Sequence, residues 1–267
     1  MVYYILVKKI PSLTRREFLK AAGLAFPGVL SVFTLPQASQ WVHRLGAPVV
    51  LYHGSRDLSQ VAMTFDDCYD LALLQQWADF LEEYPKARMT FFPVGTALEN
   101  AAAKRPALWK KLAAQGHELG YHSYSHSTPS TMSVPAALDD YIKWYAAAKE
   151  ATGTELRVRF ARPPFGELSY SFLNMCSQNN LNAAMWTNSW GMADVYYEQE
   201  KKRVQKGDII LFHIRYQDLE NAKNALSFFL SRSLNPVTMS ELYDSGLQPQ
   251  DDVPPHCQSS PRKVCPR

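Results

Sequence analysis

From Val61 to Val237 the chain switches repeatedly between short apolar runs and longer amphipathic stretches, and few folds accept that rhythm. Val61-Ala62-Met63-Thr64-Phe65 reads as a strand. Leu74, Trp77, Leu81 and Tyr84 then fall on one helical face, and Pro85 ends that helix. Residues 88–94 form the next strand; 106–115 are helical and stop at Gly116, and a short strand follows over 117–121. Leu138, Tyr141, Tyr145 and Ala148 trace another apolar stripe, closed by Gly153. Strands near 158–162, 183–186 and 208–213 come next, separated by helical sequence, and 216–232 with the run around Val237 makes the last pair. Repeated strand–helix units imply a parallel sheet with helices outside, here an α/β chain closed as a distorted (β/α) barrel. No internal repeat or linker interrupts it, and 267 residues fit a single domain of this kind. Such barrels collect functional residues at the C-terminal ends of their strands. Asp66 and Asp67 end the first strand, His122 follows another, and Arg162 and His213 close two more.

Charge excludes one class of partner. The formal charge is +3, but residues 1–38 hold five basic side chains (Lys8, Lys9, Arg15, Arg16, Lys20) and one acid, Glu17. Of the chain's 28 basic and 25 acidic residues, 23 and 24 then remain, so the body is nearly neutral and carries no electrostatic footprint for nucleic acid. The N-terminus itself reads as an address. Thr14-Arg15-Arg16-Glu17-Phe18-Leu19-Lys20 precedes an apolar, small-residue stretch from Ala21 to Leu35 and then Pro36-Gln37-Ala38. That order resembles a bacterial twin-arginine export signal over 1–38, which makes the export machinery a partner and the destination periplasmic or extracellular. The apolar run is shorter than the roughly 20 residues of a spanning helix, so no stable membrane span is expected after cleavage. The catalytic domain is then expected over 39–245 and a Pro-rich tail over 246–267. Cys257 and Cys265 in that tail could close a disulfide or stay free thiols, and Cys176 reads as a buried small hydrophobe.

Two fragments carry the chemistry. Asp67 with His122 and His126 offers a carboxylate and two imidazoles, a donor set suited to Zn²⁺ or to Co²⁺, Ni²⁺ or Mn²⁺. Three protein ligands leave a position open, as hydrolytic sites require. The i, i+4 spacing of the histidines would bring them together on one side of a helical turn. Neighbouring strand residues face opposite ways, so Asp66 is free to act as a base while Asp67 binds the metal. A solvated acidic turn and a structural histidine pair are the plainer alternatives. Arg162 precedes Pro163-Pro164-Phe165-Gly166, a rigid turn from which an arginine can hold a carboxylate in a set orientation. His213 emerges from the apolar run Ile209-Ile210-Leu211-Phe212 as a proton donor, or as a structural histidine.

Thr64-Phe65-Asp66-Asp67, His122-Ser123-Tyr124-Ser125-His126, Arg162-Pro163-Pro164-Phe165-Gly166 and Ile209–His213 together resemble the ordered motifs of the polysaccharide deacetylase family, the NodB homology domain of carbohydrate esterase family 4. The likeness runs from about Pro48 to Leu242 and includes Thr90–Gly95 and Gly116–His122. It implies a distorted (β/α) barrel and metal-dependent removal of N-acetyl, or O-acetyl, groups from a glycan containing N-acetylglucosamine. It further implies Asp67, His122 and His126 as metal ligands, Asp66 as base, Arg162 as its tether and His213 as the acid. Pro164, Phe165, Gly166 and Trp190 would contact substrate, a main-chain N–H near Phe165 facing the oxyanion. Two departures stand out. Cys68 occupies a position where the family has glycine, and its thiol is either a tolerated filler or a neighbour of the metal. The fourth motif is reduced to Trp186-Thr187-Asn188-Ser189-Trp190, so Asn188 brings no charge to the arginine, and Asp194 is the nearby candidate substitute. Hydrolysis of another non-peptide C–N bond in a small amide, and glycan binding without catalysis, are the competing functions.

Overall fold

Strand β2 (Gln60–Asp67) lies at the centre of the architecture, because five of its neighbouring residues, Val61 to Phe65, are fully buried. A strand covered on both faces is nearly continuous in apolar residues, which is why this run is so legible. It pairs in parallel with β3 (Thr90–Pro93) on one side and β8 (Ile209–His213) on the other. Phe65 stacks between Phe91 and Phe212, with ring centroids 5.4 Å from each. The computed structural model describes residues 48–190 and 201–246; the export signal at 1–38, Asp194 and the tail cysteines Cys257 and Cys265 lie outside them.

The strands form a circuit. One sheet runs β4 (Glu118–Leu119), β3, β2, β8, β7 (Asn188–Ser189); the other runs β1 (Val50–Leu51), β6 (Asn182–Ala184), β5 (Phe160–Ala161). A parallel bridge between Tyr121 and Ala161 joins the β4 edge to β5. The stretch from β6 to β7 pairs with β5 and β1 at its start and with β8 at its end, so the barrel closes through a strand that changes partners midway. Met185 N–H bonds Leu51 O and Thr187 N–H bonds Ile209 O across that change. The result is a parallel, distorted (β/α) barrel in a single domain. β9 (Asn235–Pro236) extends the N-terminal end of β2.

Helices cover the outside as the periodicity predicts, with one shift. In α1 (Leu71–Leu81) the buried face is Leu71, Leu74, Trp77, Ala78 and Leu81, and Asp70 caps it by accepting the N–H groups of Ala72 and Leu73. In α4 (Val134–Thr152), which follows α2 (Gly95–Lys104) and α3 (Leu108–Ala114), the buried face centres on Asp140, Trp144, Ala147, Ala148 and Ala151. The expected stripe of Leu138, Tyr141 and Tyr145 is only partly buried. The face is rotated because two polar anchors occupy its middle: Trp144 Nε1 donates to Pro93 O at 2.7 Å, and Asp140 accepts from the loop that carries the histidines. α4 ends at Gly153 with φ 71°, as the glycine signal indicates. α5 (Tyr170–Gln178) buries Cys176, in keeping with its reading as a small hydrophobe.

Candidate active site

β2 ends in a sharp reversal of backbone hand. Asp67 and Cys68 have φ of 66° and 62°, a left-handed pair that residues with a Cβ adopt at a cost. The turn sends the two aspartates apart, as expected: Asp66 stays buried within the barrel and Asp67 reaches the rim. Cys68 has no exposed surface, and its Sγ lies 3.7 Å from Phe65 O, pointing back into the core. Burial foremost, then the charges of Asp67 and Asp66, raise its thiol well above the usual range. Of the two readings offered for Cys68, the packed filler is the one seen.

Asp67, His122 and His126 converge, their candidate ligand atoms all within 4.8 Å of one another. Asp67 Oδ1 lies 3.5 Å from His122 Nε2 and 3.3 Å from His126 Nε2. That oxygen is buried without a well-formed hydrogen bond, as a ligand atom awaiting a cation would be. Burial pushes the Asp67 carboxyl upward, but its contacts with the two histidines win and hold it far below the usual carboxylate range. His122 Nδ1 bonds Arg162 O at 2.8 Å, so this nitrogen carries the proton and Nε2 keeps its lone pair for a metal. A borderline-soft divalent cation fits this donor set. One expectation needs correction: residues 122–126 are not helical. Ser123 and His126 have φ of 66° and 57°, and the segment is a loop shaped by Asp140. That carboxylate, buried on α4, accepts from Tyr121 Oη, from Ser123 Oγ at 3.2 Å and from Tyr124 N at 2.7 Å. The i, i+4 spacing thus brings the rings together by a different backbone path.

Arg162 has no solvent-exposed surface. Its Nη1 donates to Asp66 Oδ1 at 2.8 Å and Thr64 Oγ1 at 2.7 Å, while Nε and Nη2 donate to the carbonyls of Ala184 and Met185, each at 3.1 Å. The guanidinium lies 4.3 Å over the Phe92 ring. The arginine is therefore satisfied without an acid at position 188. Asn188 Nδ2 instead donates to Thr187 Oγ1 and Asp208 Oδ2, both at 3.3 Å.

The β2–β8 register pairs Asp66 with His213, so both project from the same side of adjacent strands. His213 Nδ1 lies 3.3 Å from Asp218 Oδ2, and the same oxygen accepts the His213 main-chain N–H at 2.8 Å. These side chains line a cavity of about 240 Å³ with Pro163, Phe165, Gly166, Trp186, Leu211 and Arg215. Phe165 stands half-exposed at its edge, its ring 4.6 Å from that of His126. Gly166 has φ 68°, and a Cβ there would come within 2.7 Å of Trp186, so this turn accepts only glycine. Arg215 Nη2 is 3.7 Å from Asp67 Oδ2 at the mouth. Two of the expected substrate contacts fall elsewhere. Trp190 is fully buried against Phe212 and Phe229, and Trp186 takes its place on the wall, because the chain crosses from β5 to β8 just between them. Pro164 is buried beside Phe172 and Met175, while Pro163 faces the cavity. Asp140 and Asp218 were not singled out from the sequence, and Thr64 only as part of its motif; the signal for Asp218 is an acid in the first turn of a helix.

The sequence model of the polysaccharide deacetylase family matches residues 53–210, and the chain belongs to this family. A peptidoglycan-N-acetylglucosamine deacetylase of Bacillus cereus is 30% identical over 136 residues, 51% of this chain and 47% of that protein. The match thus spans about half the length of this relative. A second B. cereus protein of the same description is 26% identical over 193 residues, 68% of this chain and 87% of its own. Among solved structures, a carbohydrate esterase family 4 pseudoenzyme from Bacillus anthracis superposes with a TM-score of 0.65 at 20% identity, covering 73% of this chain and 69% of that one. At that identity the likeness speaks for the fold alone.

Proposed function

We propose that this chain is an exported, metal-dependent deacetylase that hydrolyses N-acetyl groups, and O-acetyl groups where present, on an N-acetylglucosamine-containing cell-wall glycan. The observation that carries the reading is one cavity with a tethered carboxylate, an Asp-His-His trio and a histidine on the neighbouring strand. Asp67, His122 and His126 would hold the cation, Zn²⁺ by donor chemistry. Bound there, it supplies Lewis acidity toward the acetyl carbonyl. Asp66, fixed by Arg162, removes the proton from the attacking water. His213 gives a proton to the leaving amine nitrogen, so the amide and water become acetate and a free amine. Phe165 lines the cavity edge, and its main-chain N–H would be the oxyanion donor. The glycan substrate is inferred from what the two B. cereus relatives are described as acting on. Export rests on the twin-arginine-like leader at 1–38, and no helix among the described residues is long and apolar enough to cross a membrane.

Acetate release from acetylated chito-oligosaccharides and from peptidoglycan, with and without chelator, tests the proposal. Activity that a chelator abolishes and Zn²⁺ restores is expected, with Asp66→Asn about 100-fold slower or worse. Chelator-insensitive release would overturn the metal role. Glycan binding with no turnover on any acetylated substrate would favour the non-catalytic reading.

A further inference from the structure

His213 has a carboxylate beside it on the helix that follows β8. We propose that Asp218, in the first turn of α6 (Tyr216–Ser231), is the positioning residue for His213, an inference that rests on the deacetylase reading given above. Three observations carry it. Asp218 is fully buried, so its charge has to be matched by nearby donors. Its Oδ2 accepts the His213 main-chain N–H at 2.8 Å and faces the ring Nδ1 at 3.3 Å, holding the strand end and the imidazole from one atom. Asn188 is turned to Thr187 and to Asp208, which in turn is engaged by Arg56 at 2.6 Å and by Gln205 N at 2.8 Å. With Nδ1–H directed at Asp218, Nε2 is the ring atom left to carry the transferable proton toward the cavity. Asp218 thereby holds the ring in one orientation and one tautomer.

A purely structural Asp218 would only cap the end of β8. Asp218→Asn separates the two roles, since its amide oxygen still accepts the main-chain N–H but carries no charge. The Zn²⁺-loaded wild type and Asp218→Asn are compared on an acetylated chito-oligosaccharide and on 4-nitrophenyl acetate. The amide needs a proton on its leaving nitrogen, whereas 4-nitrophenolate departs without one. On the amide, kcat falls about 100-fold with KM within about threefold; on the ester the loss stays within about threefold. Equal losses on both substrates, or none on either, would overturn the proposal. Imidazole ¹⁵N spectra, assigned with His213→Ala, give a readout that needs no turnover and, in the wild type, no folded variant at position 218. His213 locked as the Nδ1–H tautomer in the wild type supports the pairing, and a mixture of tautomers refutes it. If the wild type releases no acetate while the tautomer is locked, the deacetylase reading fails and the pairing stands.

Discussion

A thiol two bonds from the backbone of a candidate metal-binding turn invites a chemical role, and Cys68 shows why position alone does not grant one. Its left-handed φ of 62° swings the side chain away from the rim and into contact with Phe65 O. There it is fully buried, and the carboxylates of Asp66 and Asp67 add to the burial that keeps it protonated. The thiolate is the reactive form, so native protein at neutral pH should leave Cys68 unmodified by a thiol reagent that labels it readily in urea. Mass spectrometry of the labelled protein checks this; rapid native labelling would mean that the turn opens. Cys68→Gly removes backbone strain worth about 1 kcal/mol but also removes a buried side chain, and the two changes roughly offset. Chemical melts of that variant should shift by no more than about 1 kcal/mol, with metal affinity unchanged.

At the scale of elements, the legible parts were those where one physical demand dominates. β2 and β8 announce themselves because strands buried on both faces must be apolar throughout, and Asp66, Asp67 and His213 follow because they terminate these strands. What stayed hidden was set by contacts between distant segments. The rotation of α4 depends on Asp140 meeting a loop 16 to 19 residues earlier, and no local spacing encodes that. The same carboxylate explains why 122–126 is an ordered loop instead of a helical turn. Replacing it with alanine strands the donors of Tyr121, Ser123 and Tyr124, and Zn²⁺ affinity should drop 10- to 100-fold by titration calorimetry, while Asp140→Asn retains part of it. A second hidden effect lies just before β4. His117 accepts the Met89 N–H at 3.1 Å through Nδ1, and burial, with the Arg88 charge, lowers its pKa from 6.5 to about 4. The folded state resists protonating it while the unfolded chain does not. The associated stability is therefore complete above about pH 6.5 and is lost as pH falls toward 4, by up to ~3 kcal/mol. Urea melts at pH 7 and pH 4.5 should show a smaller acid loss for His117→Gln than for the wild type.

For the whole molecule, the candidate metal site is a fastening between parts of the chain far apart in sequence. Asp67 ends β2, and the histidines ride on a loop after β4 that is pinned in turn to α4. A cation held by all three joins the central strand to the far edge of its sheet, where the parallel bridge to β5 completes the circuit. Binding to the native state alone stabilises it by RT ln(1 + [L]/Kd), about 2.7 kcal/mol at 100 times Kd. Adding Zn²⁺ to stripped protein should raise the melting temperature by several degrees, and Asp67→Ala should abolish the rise. An equal rise in that variant would place the binding elsewhere.

Arg162 gives its main-chain oxygen to the ring of His122, a candidate ligand, and its guanidinium to Asp66, the base of the proposed mechanism. Two parts of the chemistry therefore share a single point of reference, and neither can drift without the other. Divergence in the adjoining Pro163–Gly166 turn would then be felt as correlated change: variants that loosen the cation should also slow proton abstraction. Such a common datum confines the tolerable variation to the outer wall of the cavity, and holds Asp66 and His122 in a fixed frame.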